Sequence, residues 1–342
     1  MADLLSPDEV APVVAGLDRV LGSLDAALLG QPRLHRLVMI GILSRGHVLL
    51  EGMPGVGKTV LIRTLGELLR LGFSRVQFTP DLMPGDITGS LILEEGDDGK
   101  RSMAFKPGPI FTNVLLADEV NRASPKTQSA MLEAMAERRV TVMGETRELP
   151  SPFFVLASQN PIDLEGTYPL PEAQVDRFLF KLNVGRPSAA TLEKMISGRR
   201  RGEAGAAAAA GAVEADELQR WFAAMERVAL PPAVAAYISR LVAATHADDA
   251  DAPDLVKRYV THGASPRAAI GLAESARAHA LLAGRPVAGF EDVDAVAGPV
   301  LNHRMILNYQ ARFEKVPADD VVAQLLSSVD AVAGAVPAGV TA

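Results

Sequence analysis

Cysteine is absent from this chain of 342 residues. Its absence excludes disulfides, zinc–thiolate sites and cysteine nucleophiles as sources of function. Positive charge is also in short supply, since 34 basic residues face 41 acidic ones and leave a net charge of −7. This deficit argues against a protein that holds nucleic acid by bulk charge, although it leaves room for a local phosphate site.

Long apolar runs are missing too. The longest tract, Leu37 to Leu43, is far shorter than the roughly 18 residues that span a bilayer. The amino terminus lacks the basic start and apolar stretch of a signal peptide. We therefore expect a cytoplasmic protein with no membrane span. The chain does hold apolar material for large cores, with 48% hydrophobic residues, and its length predicts about two domains at roughly 150 residues each.

Short apolar runs alternate with helix-like segments in the first part of the chain. Val114 to Ala117 is apolar throughout, as a strand buried on both faces should be. Pro125 to Glu137 has the pattern of a helix, with Ser124 as its N-cap. The alternation predicts an α/β fold with a parallel sheet and right-handed crossovers. Two stretches, 91–105 and 139–149, break the alternation and have the pattern of inserted β-hairpins.

The composition changes at Arg199 to Gly211, which reads RRRGEAGAAAAAG. Gly and Ala without large apolar residues predict a linker or exposed loop, with a surface helix as the alternative. The residues after it show helical patterns and no convincing strand. The predicted helices are Ala215 to Val228, Ala233 to His246, Pro266 to Ala283 and Glu291 to Val300. We therefore predict an α/β core domain (1–198), a linker (199–212) and a small all-α domain (213–342).

A glycine-rich segment follows the strand signal at residues 47–51. Residues 52–59 read GMPGVGKT, which matches the phosphate-binding pattern G-x-x-x-x-G-K-[ST] between a strand and a helix. The glycines let backbone N–H groups wrap around a phosphate, and the helix N-terminus adds partial positive charge. We expect Lys58 to reach the β and γ phosphates of a nucleotide and the Thr59 hydroxyl to bind Mg²⁺. A chance match at a glycine-rich turn is the alternative.

An acidic pair, Asp118 and Glu119, follows the apolar run that ends at Ala117. A carboxylate at the carboxyl end of a buried strand lies in the crevice where nucleotides bind. We expect Asp118 to hold Mg²⁺ and Glu119 to deprotonate the attacking water; plain solvated surface is the alternative. The residues predicted to bind the nucleotide are Gly52, Pro54, Gly55, Val56, Gly57, Lys58, Thr59, Val60 and Asp118.

Three further polar residues are candidates on position alone. Asn160 follows another strand signal, so its amide should face the same crevice and hold the water; a turn Asn before proline is the equal alternative. Arg177 precedes the last strand signal of the α/β part, and Arg267 begins a helix in the second part. Composition does not distinguish either arginine from a surface salt-bridge partner.

Taken together, these segments resemble the AAA+ ATPases and, within them, the MoxR family. The segments that carry the resemblance are Gly46 to Thr59 (Walker A), Phe78 to Gly89, Asp118 to Ala123 (Walker B), Gln159 to Pro161 and Leu170 to Phe178. The resemblance spans about Gly30 to Leu307. It implies a P-loop AAA+ parallel-sheet core with β-hairpin inserts, followed by a small all-α lid.

The resemblance also implies roles for the candidates that spacing left open. Asn160 corresponds to sensor 1, Arg177 to an arginine finger that completes a neighbouring subunit's site, and Arg267 to sensor 2 on the lid. Hairpins 91–105 and 139–149 correspond to the helix-2 insert and the presensor-1 hairpin. The implied protein hydrolyses ATP with Mg²⁺ in a homo-oligomeric ring, usually a hexamer. It acts as a chaperone-like remodeller of client proteins, often with a von Willebrand A domain partner.

Two other functions are compatible with these residues. One is the motor subunit of a magnesium- or cobalt-chelatase complex, which uses similar inserts. The other is a scaffold that assembles on ATP without needing turnover, although Glu119 and Asn160 argue against it. A DNA-translocating relative is disfavoured because neither part of the chain has a basic stripe beyond Arg199 to Arg201. The sequence does not identify the client.

Overall fold

The fold is that of a computed structural model, which describes residues 4–53, 57–95, 101–160, 167–198 and 212–332. The first part comprises α1 (Pro7–Ala27), α2 (Pro32–Leu43), β1 (Val48–Glu51), α3 (Lys58–Leu69), β2 (Phe73–Gln77), α4 (Pro84–Thr88), β3 (Gly89–Glu95), β4 (Arg101–Pro107), β5 (Val114–Asp118), a 3-10 turn (Val120–Arg122), α5 (Pro125–Glu137), β6 (Arg139–Val142), β7 (Glu145–Glu148), β8 (Phe154–Gln159), α6 (Glu172–Val175), β9 (Phe180–Asn183) and α7 (Ala189–Gly198). The second comprises α8 (Ala215–Arg227), α9 (Pro232–Ala243), α10 (Asp254–Tyr259), β10 (Val260–His262), α11 (Pro266–Leu282), α12 (Phe290–Leu301), β11 (Ile306–Leu307), α13 (Tyr309–Glu314) and α14 (Ala318–Ser328).

A five-stranded parallel sheet forms the centre of the first part, in the order β2–β5–β8–β1–β9. Successive side chains on a strand point to opposite faces, and the two faces bury separate apolar clusters. Leu50 and Leu116 pack with the cluster that includes α1, α2 and α3, whereas Leu49 and Leu115 pack with the cluster that includes α5. The predicted α/β parallel sheet is confirmed, and its strands are apolar throughout because both faces are covered.

Both predicted hairpins are present beside the sheet. In the first, β3 and β4 pair antiparallel from Gly89 opposite Pro107 to Glu95 opposite Arg101, and the residues joining them lie outside the described part. In the second, β6 and β7 pair antiparallel around a turn at Met143 and Gly144, both of which have positive φ. The guanidinium of Arg147 lies 4.0 Å from the centroid of the Phe105 ring, so the two hairpins are in direct contact.

The second part is helical, as predicted, with one exception. β10 and β11 form an antiparallel pair of three and two residues, which the sequence analysis did not anticipate. Strands this short leave no alternating pattern to detect. Within the described ranges, no helix is both long enough and apolar enough to cross a membrane. The cytoplasmic location stays a prediction.

Helix α8, the first after the predicted linker, packs on the α/β core. The Val213 N–H donates to the Leu68 carbonyl at 2.7 Å, just before α8 begins. On α8 itself, Trp221 is 1% exposed and Phe222 stacks on Phe154 with ring centroids 6.3 Å apart. The predicted linker lies almost wholly outside the described residues, and the proposed division into domains stays a prediction.

The later helices pack at the amino end of the sheet and along its β9 edge. Ser44, shortly before β1, donates a hydrogen bond to the Glu274 carbonyl of α11 at 3.3 Å. His303, just after α12, contacts the Phe178 carbonyl just before β9, with Nε2 at 3.0 Å from the oxygen. The lid therefore meets the core where its strands begin, and Asn302 Nδ2 also donates to the Lys181 carbonyl of β9 at 3.3 Å.

Candidate active site

The glycine-rich loop after β1 has glycine where the backbone requires it. A Cβ on Gly52 would lie 2.7 Å from the Val184 carbonyl oxygen, closer than real contacts allow. Gly57 has φ of +92°, in the left-handed region that side chains disfavour. Pro54, Gly55 and Val56 lie outside the described residues. Gly57 is also the N-cap of α3 and has no side chain to cap the first turn, so those N–H groups face the loop.

Lys58 begins α3 and reaches back across the sheet edge. Its Nζ donates to the Gly52 carbonyl at 2.7 Å and to the Gln159 carbonyl at 3.3 Å. Burial lowers the pKa of Lys58, and the nearby carboxylates of Asp118, Glu119 and Glu51 oppose that shift. Thr59 and Val60 follow in the same turn and are half-buried. A cation at a helix N-terminus is suited to binding a phosphate chain.

Asp118 ends strand β5, which lies between β2 and β8, and both of its carboxylate oxygens have partners. Ser158 on β8 donates its hydroxyl to Oδ1 at 2.6 Å, and Arg75 on β2 donates to Oδ2 at 2.8 Å. The side chain is 12% exposed. Ser158 and Arg75 were not predictable as partners of Asp118, because their closeness to it depends on the strand order.

Glu119 leaves the strand with a left-handed backbone, φ 56° and ψ 50°. This conformation is uncommon for a residue with a side chain. Its N–H donates to the Ser158 hydroxyl at 3.0 Å, so one serine contacts both members of the acidic pair. Gln77 and Arg122 donate to Glu119 Oε2 at 3.0 and 3.1 Å. The carboxylate is thus held at the mouth of the crevice, beside Lys58.

Asn160 follows β8 at the same edge of the sheet. Its carbonyl accepts a hydrogen bond from Asn121 Nδ2 at 3.1 Å, which joins the end of β8 to the turn after β5. The chain beyond it, residues 161–166, lies outside the described part. The structure therefore brings Gly52, Gly57, Lys58, Asp118, Glu119 and Asn160 to the carboxyl edge of the sheet.

The oxygen donors at the carboxyl edge of the sheet are of the type that binds Mg²⁺. The Asp118 carboxylate and the Thr59 hydroxyl are hard oxygen donors, which Mg²⁺ prefers. Among the described residues, no three His, Asp or Glu side chains cluster as a metal site. Two protein oxygens suit Mg²⁺, because this ion usually keeps several bound waters and also binds phosphate oxygens.

Arg177 and Arg267 lie at the opposite edge. β9 runs parallel to β1, with Phe180 beside Val48, so Arg177 precedes the strands whereas Lys58 follows them. A strand of four residues separates the two edges by roughly 10 Å. Arg177 Nη1 donates to the Leu132 carbonyl of α5 at 2.7 Å, and Arg267 Nη1 lies 3.3 Å from Asp176 Oδ2. Arg267 thus lies beside Asp176, the residue before Arg177, and both arginines are at the edge opposite to their own Lys58.

A groove of about 580 Å³ opens along the β9 edge, between α2 and the lid helices α12 and α14. Its lining includes Gly30 and Gln31 on one side and Asn183 and Gly185 on the other. Leu28, two residues before Gly30, lies against Gly57, where an added Cβ would come 2.5 Å from its Cδ1. This groove was not predictable from local sequence patterns, because its walls come from segments far apart in the chain.

Comparisons with known proteins agree with this geometry. Residues 47–180 match the ATPase family associated with various cellular activities (AAA), and residues 253–325 match the AAA lid domain. The chain is 41% identical over 320 residues to the chaperone MoxR1 of Mycobacterium tuberculosis, covering 94% of this chain and 83% of that protein. It is 32% identical to the MoxR protein of Methylorubrum extorquens, covering 86% of this chain and 89% of that protein.

A solved structure has the same fold over nearly its whole length. It is a protein of Cytophaga hutchinsonii described as a candidate ATPase, with a TM-score of 0.85 and 36% identity, and the match covers 94% of this chain and 97% of that one. A parallel P-loop sheet, a helical lid and relatives of this similarity lead to one conclusion. The chain belongs to the MoxR family of AAA+ ATPases.

Proposed function

We propose that this protein hydrolyses ATP within a ring of identical subunits and uses the energy to remodel client proteins. The observation that carries the proposal is the closeness of Lys58, Asp118 and Glu119 at the carboxyl edge of the sheet, where the α3 N-terminus also opens. A phosphate-binding cation, an oxygen donor for a metal and a candidate base are the groups that phosphoryl transfer to water requires. Because its named relatives are MoxR proteins, this function is preferred to a chelatase motor subunit.

In the proposed reaction a water attacks the γ-phosphate, the bond to the β–γ bridging oxygen breaks, and ADP and phosphate leave. Lys58 offsets the negative charge of the phosphates. Glu119 accepts the proton of the attacking water, and the Asn160 amide holds that water in line. Mg²⁺, when held by Thr59 and Asp118, supplies further positive charge beside the phosphates.

Arg177 and Arg267 are proposed to serve the site of the neighbouring subunit. Their place at the amino edge, across the sheet from Lys58, supports this assignment because neither is positioned to reach its own phosphates. An arginine supplied in trans is typically worth about 10³–10⁵ in rate. We expect an isolated subunit to hydrolyse ATP slowly. Lid motion would then report on the neighbour's nucleotide rather than on its own.

The adenine base is proposed to lie in the groove along β9. The groove continues from the Leu28 contact with Gly57, so a nucleotide whose phosphates bind the loop can extend toward Gly30 and Gln31. Ligand sites of this kind are concave and lined by several segments of the chain. The family's usual von Willebrand A domain partner, a hexameric ring and an unidentified protein client complete the proposal; ring size is checked by mass measurement with and without ATP.

The central test replaces Glu119 by Gln. The variant should bind ATP as the wild type does but should not hydrolyse it, because the amide cannot accept the proton. Binding is measured with a fluorescent ATP analogue and turnover by phosphate release. Glu133→Gln, at an exposed position on α5, is the matched control and should keep wild-type turnover. Wild-type hydrolysis by Glu119→Gln would refute the assignment of the base.

A second test replaces Arg177 by Ala. Turnover should fall steeply while the ATP affinity of the isolated subunit survives, since the arginine acts on another subunit. An equal loss of binding and turnover would instead place Arg177 in its own subunit's site.

A further inference from the structure

The turn that carries Arg177 lies between α6 and β9 and is itself neither strand nor helix. Residues 176–179 form an irregular turn in which the Arg177 and Phe178 N–H groups bond back to the carbonyls of Gln174 and Val175. An arginine that must meet a phosphate on another molecule needs a rigid base, because misplacement by about 1 Å can cost roughly 10²-fold in rate.

Arg304, just after α12, supplies that base. Its side chain is only 3% exposed, and its guanidinium donates to the carbonyls of Asp176, Phe178 and Leu179 at 3.2, 2.6 and 3.0 Å. A fourth bond goes to the Val300 carbonyl, and Nε donates to Asp176 Oδ1 at 2.9 Å. All five N–H groups of the Arg304 guanidinium therefore have an acceptor. No other side chain offers five donors in a fixed plane.

The carboxylate that binds Arg304 also contacts Arg267, the exposed arginine of the lid. Asp176 Oδ1 binds Arg304, whereas Oδ2 accepts from the Ser265 hydroxyl at 3.0 Å and lies 3.3 Å from Arg267 Nη1. Arg267 is 56% exposed, so its guanidinium is held at one end and open to an approaching molecule. The Asp176 carboxylate therefore links Arg267, on the lid, to the residue next to Arg177, in the core.

We propose that Arg304 is a positioning residue for the trans half of the ATPase site. By clamping both sides of Arg177 and by orienting Asp176, it fixes Arg177 and Arg267 as one unit that is presented to the neighbouring subunit. The inference rests on the proposed function, because it presumes that these arginines act across a subunit interface. Burial alone would also fit a purely structural ion pair, so the test must separate the two roles.

The test is complementation between two inactive variants. Arg304→Lys keeps the charge but loses the planar fork, and it should lower turnover about 10²-fold while the ATP affinity of its own site is unchanged. Glu119→Gln lacks the base but presents intact arginines. In a 1:1 mixture, about one interface in four pairs an intact base with intact arginines, because heterologous ring contacts assemble at random. Turnover should therefore recover to about a quarter of the wild-type rate.

Two further variants make the outcome decisive. Arg177→Ala mixed with Glu119→Gln must recover in the same way if the trans arrangement is right. Arg285→Lys is the matched control, since Arg285 also pairs with a buried lid carboxylate, that of Asp292, and it should keep wild-type turnover. Asp176→Asn, which breaks the ion pair with little change of shape, should behave like Arg304→Lys if the lysine variant does not fold.

Recovery in both mixtures supports the proposal. Recovery with Arg177→Ala but not with Arg304→Lys or Asp176→Asn overturns it and leaves the proposed function standing. Loss of ATP affinity in a folded Arg304→Lys subunit, or wild-type turnover by that variant alone, overturns it as well. Failure of both mixtures refutes the trans arrangement itself, and with it this part of the proposed function.

Discussion

Replacing Ser158 by Ala tests whether one buried hydroxyl organises the acidic pair. Ser158 is fully buried at the end of β8, where it donates to Asp118 Oδ1 at 2.6 Å and accepts from the Glu119 N–H at 3.0 Å. Alanine keeps the Cβ and removes only the oxygen, so the change leaves little cavity. We expect a loss of stability and a higher Mg²⁺ concentration for half-maximal ATPase activity, because Asp118 loses the partner that fixes its rotamer.

The magnitude follows from the two bonds. A hydrogen bond to a charged group contributes about 1.5–3 kcal/mol, and one to a backbone N–H about 0.5–1.5 kcal/mol. Arg75 stays on Asp118 Oδ2 at 2.8 Å, so the carboxylate is not left bare and the lower part of the range applies. We therefore expect the free energy of unfolding to fall by about 2–3 kcal/mol.

Urea unfolding without nucleotide measures this loss, followed by the fluorescence of Trp221, which is the single tryptophan of the chain and is buried. The midpoint should shift without a change in slope. Ser275→Ala is the matched control: Ser275 is also fully buried, but its hydroxyl makes no hydrogen bond within the described residues. Removing that hydroxyl should be neutral or stabilising. If the two variants unfold at the same urea concentration, the Ser158 hydroxyl does not stabilise the acidic pair.

Three other changes have outcomes set by the structure. Gly52→Ala should abolish ATP binding, measured by a fluorescent analogue, because its Cβ would meet the Val184 carbonyl oxygen at 2.7 Å. Burial lowers the pKa of the His47 imidazole from its usual 6.5 to about 4. Between these two pH values the imidazole is protonated in the unfolded chain and neutral in the folded chain. The free energy of unfolding should then fall between pH 6.5 and 4, by up to about 3 kcal/mol in urea titrations. Arg147→Ala should lose the cation–π contact with Phe105 and show a coupling of about 0.5–2 kcal/mol in a double-mutant cycle with Phe105→Leu.

Each of these has its own control. Gly22→Ala, at an exposed helical position with nothing within 4 Å of an added Cβ, should leave ATP binding intact. His47→Gln should reduce the pH dependence of stability, and an unchanged dependence would assign it to other groups. A coupling energy near zero in the cycle would show that the two hairpins do not depend on each other.

Local patterns were enough to predict most of the framework. The buried strands, the helix at Pro125–Glu137 and its Ser124 cap follow from period, apolar content and capping chemistry, and the cap is present with Thr127 N–H donating to the Ser124 hydroxyl at 3.4 Å. Lys58 and Asp118 could be predicted from the sequence because each belongs to a motif whose residue types follow from its chemistry.

The supporting side chains were not predictable in the same way. Ser158 acts 40 residues from Asp118, and Arg304 acts 128 residues from Asp176. Their contacts are set by strand order and by the docking of the lid, which no local spacing records. An arginine in sequence looks the same whether it is a solvated surface group or a buried clamp, so Arg304 could be recognised only once its partners were known.

The packing of α8 also has a consequence for the continuity of the chain. Arg19 on α1 pairs with Glu217 at 2.8 Å, and Glu9 pairs with Arg227 at 2.6 Å, on either side of the buried Trp221. Together with the Arg304 contacts, these ion pairs join the two parts through residues outside the segment 199–211. The peptide bonds of that segment are therefore not what keeps the halves associated. Two separately expressed fragments, 1–198 and 212–342, should find each other and purify as one non-covalent complex.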